Sequence, residues 1–196
     1  MKKLIILLLL GWYVQANAQY QTLFGRSHVS GGFVAPIVEI GINNQIPTSV
    51  GGGGGIVIGN GFIGGYGTGA VDFNKLFEDG DVEVVNIAHG GLWVGGSFPT
   101  YKLVHLYGSG RVGWGALDLQ VHDNNGGFDG ADNIFVFTPE LGLEVNLTRW
   151  FRITGTAGYR LVDGANKARG YTNEDFSGWF TGLTFRFGWF GAHERW

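Results

Sequence analysis

Trp179-Phe180-Thr181-Gly182-Leu183-Thr184-Phe185-Arg186-Phe187-Gly188-Trp189-Phe190 is the stretch whose reading decides the fold. Side chains on a strand alternate between two faces. Trp179, Thr181, Leu183, Phe185, Phe187 and Trp189 therefore share one face, apolar and bounded by tryptophan at both ends. Phe180, Gly182, Thr184, Arg186, Gly188 and Phe190 share the other. From Trp179 to Trp189 the rise is roughly 33 Å at ~3.3 Å per residue. Tilted by ~40–45°, such a strand stands about 25 Å tall, the height of the apolar band on a transmembrane strand. Trp179 and Trp189 then fall where an aromatic girdle meets the two membrane interfaces.

The two preceding segments repeat the pattern. In Asn133–Leu147 one face carries Phe135, Phe137, Pro139, Leu141, Leu143, Val145 and Leu147, and the other carries Glu140 and Glu144. In Phe151–Val162 one face carries Phe151, Ile153, Ala157, Tyr159 and Leu161, and the other carries Arg152 and Arg160. Three neighbouring strands thus place Glu140, Glu144, Arg152, Arg160 and Arg186 on one common face. Opposite charges around a shared interior neutralise one another. An arginine turned to lipid at mid-depth costs ~2–4 kcal/mol. A soluble sheet would invert the assignment, with the apolar face as core and the polar face wet. The membrane reading is favoured by what lies upstream.

Lys2 and Lys3 precede an apolar run, Leu4 to Val14, followed by Ala16-Asn17-Ala18. This is the pattern of a cleaved signal peptide over 1–18, with the barrel domain spanning 19–196. The run is too short for a spanning helix, which needs about 20 residues. There is no cysteine, hence no disulfide framework, no thiolate nucleophile and no Cys-ligated metal. Glycine is the outlier, with 37 residues of 196, alongside 15% aromatic residues. Many short, curved strands with close backbone approach have that composition. The formal charge of -3 falls to -5 without Lys2 and Lys3, so a nucleic-acid partner is not expected.

Eight strands are predicted: Val29–Gly41, Thr48–Ile58, Phe62–Ala70, Val85–Ser97, Lys102–Leu117, Asn133–Leu147, Phe151–Val162 and Ser177–Phe190. Gly59-Asn60-Gly61 is a tight hairpin signal. Pro99-Thr100 and Thr148-Arg149 mark further short turns. Between these lie Ile42–Pro47 and three long polar loops, Val71–Val84, Asp118–Asp132 and Asp163–Phe176. Long and short connections alternate, so all tight turns fall on one side, as in barrels with short periplasmic turns and longer external loops. The expected fold is all-β: an eight-stranded antiparallel up-and-down transmembrane β-barrel. An even strand number permits closure, which removes sheet edges.

The run Pro139-Glu140-Leu141-Gly142-Leu143-Glu144-Val145-Asn146-Leu147-Thr148-Arg149-Trp150, then Gly158-Tyr159-Arg160, then Phe187-Gly188-Trp189-Phe190, resembles the small eight-stranded outer-membrane β-barrel proteins of Gram-negative envelopes, with an OmpA/OmpX-like architecture. The likeness covers roughly the last third of the chain. It implies an outer-membrane location, contact with outer-membrane lipid and lipopolysaccharide, and delivery by the barrel-assembly machinery. Barrels of this kind end on an aromatic residue, which here is Trp196 or Phe190. The likeness implies no activity.

Other motifs carry less. Gly59-Asn60-Gly61-Phe62-Ile63-Gly64 matches G-x-G-x-x-G, but a dinucleotide site needs a helix next. Gly65-Tyr66-Gly67-Thr68-Gly69 follows instead, a poor helix. Gly51–Gly55 lacks the Lys-Ser/Thr of a P-loop. Asn146-Leu147-Thr148 is a glycosylation sequon at a tight turn and is discounted. His89, His105 and Ser109 are a weak catalytic candidate. Pairing about Pro99 would bring His89 near Ser109 or Arg111, and a serine beside a histidine is a route to acyl transfer. Yet Gly108-Ser109-Gly110 lacks the G-x-S-x-G elbow, and an interior hydrogen-bond network is the plainer reading. Acid gathers in the loops: Asp72, Glu78, Asp79, Asp81 and Glu83; Asp118, Asp123, Asp129 and Asp132; Asp163, Glu174 and Asp175. Carboxylate clusters suit a divalent cation, but no EF-hand spacing is present, and a solvated acidic rim is expected. No cofactor is expected.

An eight-stranded barrel is just wide enough for side chains to fill it. The expected function is therefore structural, or surface binding and adhesion through acidic external loops, by a protein that is not an enzyme. Two other classes stay open: a lipid-modifying enzyme using His89, His105 and Ser109, and a narrow channel or carrier for small apolar molecules.

Overall fold

Eight strands pair antiparallel in sequence order and close on themselves: β1 (Val29–Gly41), β2 (Ser49–Ile58), β3 (Gly61–Ala70), β4 (Val84–Phe98), β5 (Val104–Gln120), β6 (Asp132–Asn146), β7 (Phe151–Asp163) and β8 (Gly178–Phe190). Closure is made by β1 on β8, with Gly31 opposite Phe190 and Gly41 opposite Phe180. The computed structural model describes residues 29–42, 46–71, 84–98, 102–120, 132–165 and 172–190. The expected signal peptide, Trp196 and most of the acidic loop residues lie outside them. Among the described residues, no helix is long and apolar enough to cross a membrane, which says nothing of strands.

Alternation along the strands sets the wall. Trp179, Leu183 and Trp189 on β8, and Leu141 and Leu143 on β6, point out and are exposed. The residues between them point in, and Val136, Phe180 and Arg186 are buried. Exposed aromatic side chains gather at both ends of the wall. At the end where the long loops leave, Trp179 meets Tyr159 at 5.2 Å between ring centres, and Trp114 meets Phe135 at 5.8 Å. At the end with the short turns, Trp150 stacks on Phe151 and Phe187, with Trp189 nearby on β8.

Gly51–Gly55 has poor strand propensity, yet it holds the centre of β2. The reason is inside the barrel. A Cβ on Gly53 would lie 2.6 Å from the Gly65 carbonyl and 3.0 Å from the indole of Trp93, and Trp93 is the largest fully buried side chain among the described residues. The same relation holds on the far wall, where a Cβ on Gly158 would lie 2.6 Å from the ring of Phe180. Bare wall lets a large ring lie flat against it.

Three expectations are corrected. Strand β5 begins at Val104 and runs to Gln120, so Asp118 pairs with Asn86 and Asp132 with Leu117 inside the sheet. The connection about Pro99 is longer than a tight turn. The last β4–β5 pair is Phe98 with Leu106, which moves the register so that His89 faces Gly115 and Ser109 faces Gly95. Finally, the stretch from Asp163 to Phe176 is not a purely polar loop. It contains a one-turn helix, α1 (Asn173–Phe176). The Thr172 amide donates to Asp175 Oδ2 at 2.7 Å at its start, and the Ala165 amide donates to Asn173 Oδ1 at 2.8 Å. These bonds seat Phe176 over the loop end of the lumen.

Replacing Gly53 with Val should force Trp93 off its seat and lower the stability of the folded barrel by about 1–3 kcal/mol, the usual range for overpacking. Gly67→Ala on the neighbouring strand, where nothing lies within 4 Å of a new Cβ, should change it far less. Urea unfolding of the two variants in detergent micelles, followed by tryptophan fluorescence, checks the difference.

Candidate functional site

Inward side chains fill the lumen in layers. At the short-turn end sits an aromatic layer, Phe33, Phe62, Tyr107 and Phe190, with Trp93 above it. At the loop end sits an aliphatic layer, Ile87, Leu117, Ile134, Val136 and Val162, closed by Ala165 and by Phe176 of α1. Between and within these layers lie two groups of charged side chains. Burying a charge is costly unless it is paired and hydrogen-bonded, so their partners decide whether the layers hold.

The first group is built on Glu144, which is 0% exposed. Arg152 Nη1 and Ser97 Oγ donate to its Oε1 at 2.9 and 2.8 Å. Arg186 Nη1 and Thr154 Oγ1 donate to its Oε2 at 2.6 and 3.1 Å. His105 Nε2 lies 3.3 Å from Oε1. Every lone-pair direction of the carboxylate is used. Glu144 and Arg152 are not directly opposite, as simple pairing about Thr148 would place them. Glu144 faces Thr154, and Arg152 faces Asn146. The turn is centred one residue later, because the Leu147 and Thr148 amides both donate to the Phe151 carbonyl. Arg152 reaches Glu144 along the diagonal, a distance that long side chains span.

The second group has two carboxylates. Glu39 receives Nη2 of both Arg111 and Arg160, and Arg160 also reaches Ser49 Oγ at 3.2 Å. Glu140 receives Ser109 Oγ, Thr156 Oγ1 at 3.1 Å and Arg111 Nη2 at 3.4 Å. Arg111 thus links the two acids.

The two groups hold three carboxylates and four arginines, and the surplus lies at Glu144. Ring faces take it up. The Arg186 guanidinium carbon is 4.0 Å from the ring centre of Phe33, 4.6 Å from Phe62 and 5.2 Å from Phe190. Arg152 lies 4.0 Å from Phe190. The negative face of an aromatic ring attracts a cation, and more so when both are desolvated.

The structure therefore brings Glu144, Arg152 and Arg186 together, and places Glu140 and Arg160 in the second group with Glu39 and Arg111. Reasoning from sequence missed Glu39. It shares the odd-numbered face of β1 with Phe33, Ala35 and Ile37, and an acid on an otherwise apolar face was the available signal. His89, His105 and Ser109 do not assemble. His89 is held between Tyr66 Oη at 3.1 Å and Thr68 Oγ1 at 3.2 Å. His105 lies against Glu144, and Ser109 lies between Glu140 and the Trp93 indole, which donates to it at 3.0 Å. Of the described acidic loop residues, Asp132 is buried, and Asp163 Oδ1 accepts from Asn173 at 2.9 Å. Among the described residues, no three metal-ligating side chains converge.

No family model and no curated protein matches the sequence. Among solved structures, neisserial surface protein A aligns over 81% of this chain and 92% of its own, with a TM-score of 0.50 and 12% identity. Ail, the attachment invasion locus protein of Yersinia pestis, aligns over the same shares with a TM-score of 0.41 and 14% identity. The first likeness speaks to the fold alone, and the fold is that of the small eight-stranded outer-membrane barrels.

Glu144→Ala leaves the buried guanidinium of Arg186 and the half-buried one of Arg152 without their carboxylate and should cost ~3–5 kcal/mol of stability. Arg152→Ala should cost less, since Arg186 still holds Glu144. The double variant should be less damaged than the two losses summed, because one orphan charge is gone. Leu143→Ala, one residue away on the outer face, should cost less than either. Equilibrium unfolding of the four proteins in one detergent gives the comparison; strict additivity would break the inferred pairing.

Proposed function

We propose that this chain is an integral outer-membrane barrel protein, exported on the signal peptide at 1–18, whose lumen is filled rather than open, and that it acts structurally or by binding at its external loops. The observation that carries the reading is the opposition of its two surfaces. The wall turns leucine, tryptophan and phenylalanine outward in a band bounded by aromatic side chains. The interior holds the buried Glu39, Glu144, Arg111, Arg160 and Arg186. A water-soluble sheet would reverse the two. Aromatic, charged and aliphatic layers cross the lumen in turn, which favours a plug over a conducting path. The loop end carries Asp163, Glu174 and Asp175 among its exposed described residues, which supports an acidic surface facing outward. Lipopolysaccharide and outer-membrane lipid are the surroundings this reading requires, and the barrel-assembly machinery is its route of insertion.

Envelope fractionation should place the protein with outer-membrane markers. Unboiled and boiled samples should migrate differently in detergent gels, and planar bilayers containing the purified protein should show no conductance steps. Extraction by high salt alone would overturn the membrane location; steady unitary currents would overturn the filled lumen. A protease added to intact cells should cut, if anywhere, within 72–83, 121–131 or 166–171. Cuts at Gly59–Asn60 or Thr148–Arg149 would invert the orientation.

A further inference from the structure

The outer wall is not uniformly clad. At the short-turn end, Gly61 of β3 pairs with Gly96 of β4, and Gly96 pairs with Gly108 of β5. All three lie on the outward parity of their strands, so a row of bare backbone crosses three strands and ends at Leu141, the residue paired with Gly108. Phe98 and Leu106, paired with each other, wall the row toward the rim and are each 67% exposed. The result is a shallow, open furrow of about 430 Å³, almost wholly apolar.

Basic charge lies on the rim beyond Phe98 and Leu106. Lys102 sits in the connection that joins Phe98 to Leu106, and its carbonyl accepts Asn146 Nδ2 at 3.1 Å, while the Asn146 amide donates to the Leu103 carbonyl at 2.9 Å. These bonds fix Lys102 and Leu103 against β6, the strand that supplies Leu141. Among the described residues, the exposed charges at this end are Lys102 and Arg149, both basic, whereas those at the loop end, Asp163, Glu174 and Asp175, are all acidic. An apolar depression on the lipid-facing wall, below a rim whose exposed described charges are basic, matches a lipid with an anionic headgroup.

We propose that the furrow between Phe98, Leu106 and Leu141 seats one acyl chain of an anionic glycerophospholipid from the leaflet at the short-turn end, with the headgroup phosphate held at Lys102. The inference rests on the membrane reading above. Lysine near an anionic surface and burial of chain methylenes supply the two halves of the affinity.

The test is native mass spectrometry of the purified full-length barrel released from detergent micelles, with dioleoyl phosphatidylglycerol or dioleoyl phosphatidylcholine added. A new side chain at Gly108 would fill the furrow; its nearest neighbour is the flexible end of Leu141, at 3.1 Å, with the Glu140 carbonyl at 4.0 Å. Wild type should retain one phosphatidylglycerol. Gly108→Leu should reduce the retention by about tenfold. Lys102→Gln should reduce it by about fivefold and erase the preference over phosphatidylcholine. Gly67→Leu, on the same wall but away from the furrow, should retain lipid as wild type does. All variants are first checked for the heat-dependent gel shift. If wild type shows no shift and does not enter vesicles, the membrane reading falls and takes this inference with it. If wild type shifts and inserts yet retains no phosphatidylglycerol, or if Lys102→Gln and a folded Gly108→Leu retain as much as wild type, the furrow site alone is overturned.

Discussion

A carboxylate sealed from water must be surrounded by donors, and Glu144 is the place where this barrel meets that demand most completely. Four side-chain donors and a histidine converge on it from β4, β5, β7 and β8. Half of the cylinder is thereby tied to one acid. The price of gathering two arginines there is surplus positive charge, and the aromatic layer answers it. Phe33, Phe62 and Phe190 are space-filling residues and also the nearest thing to a counter-ion that Arg186 has on its ring side. Removing one of these rings would leave a cavity and weaken the hold on a cation as well, so packing and electrostatics are not separable in this layer.

That layer also explains the glycine content. A narrow barrel has room for large rings only where the opposing wall is bare. Gly53 under Trp93 and Gly158 under Phe180 are two such places. Gly53 and Gly158 are therefore complements of specific aromatic side chains elsewhere in the chain, while the other glycines of Gly51–Gly55 lie against neighbouring strands. On the outer wall the same residue type has the opposite effect, leaving a depression in a surface otherwise covered by leucine and phenylalanine.

Much of the architecture was legible because period-two alternation survives wherever one side of a sheet faces lipid and the other a packed interior. The faces of β6, β7 and β8 could be written down from Trp179 to Phe190 and its two predecessors, and strand existence followed from turn residues. Register was harder. Pro99-Thr100 draws the eye as a turn, but Phe98 still pairs with Leu106, so the fold of the chain back on itself lies further on and His89 misses Ser109. A shift by an even number of residues, such as that from Ser109 or Arg111 to Gly115 opposite His89, keeps every side chain on its predicted face while changing each neighbour, which is why the faces were right and the contacts were not. Glu39 was missed because its partners lie on β5 and β7, which no local pattern brings to β1. Helix α1 was missed because a single turn held by Asp175 and Asn173 has too short a period to read.

Arg160 and Glu39 are separated by 121 residues. β1 is the first strand of the barrel made, and its acid has no arginine beside it until β5 and then β7 have arrived. A form lacking β7 would leave Glu39 without Arg160, and one lacking β5 as well would leave it without either arginine. The ion pairs thus favour the state in which β1, β5 and β7 line one closed lumen. Contacts this distant in sequence also slow the search for the native state. Such a chain is suited to closing in one concerted step at a membrane rather than strand by strand in water.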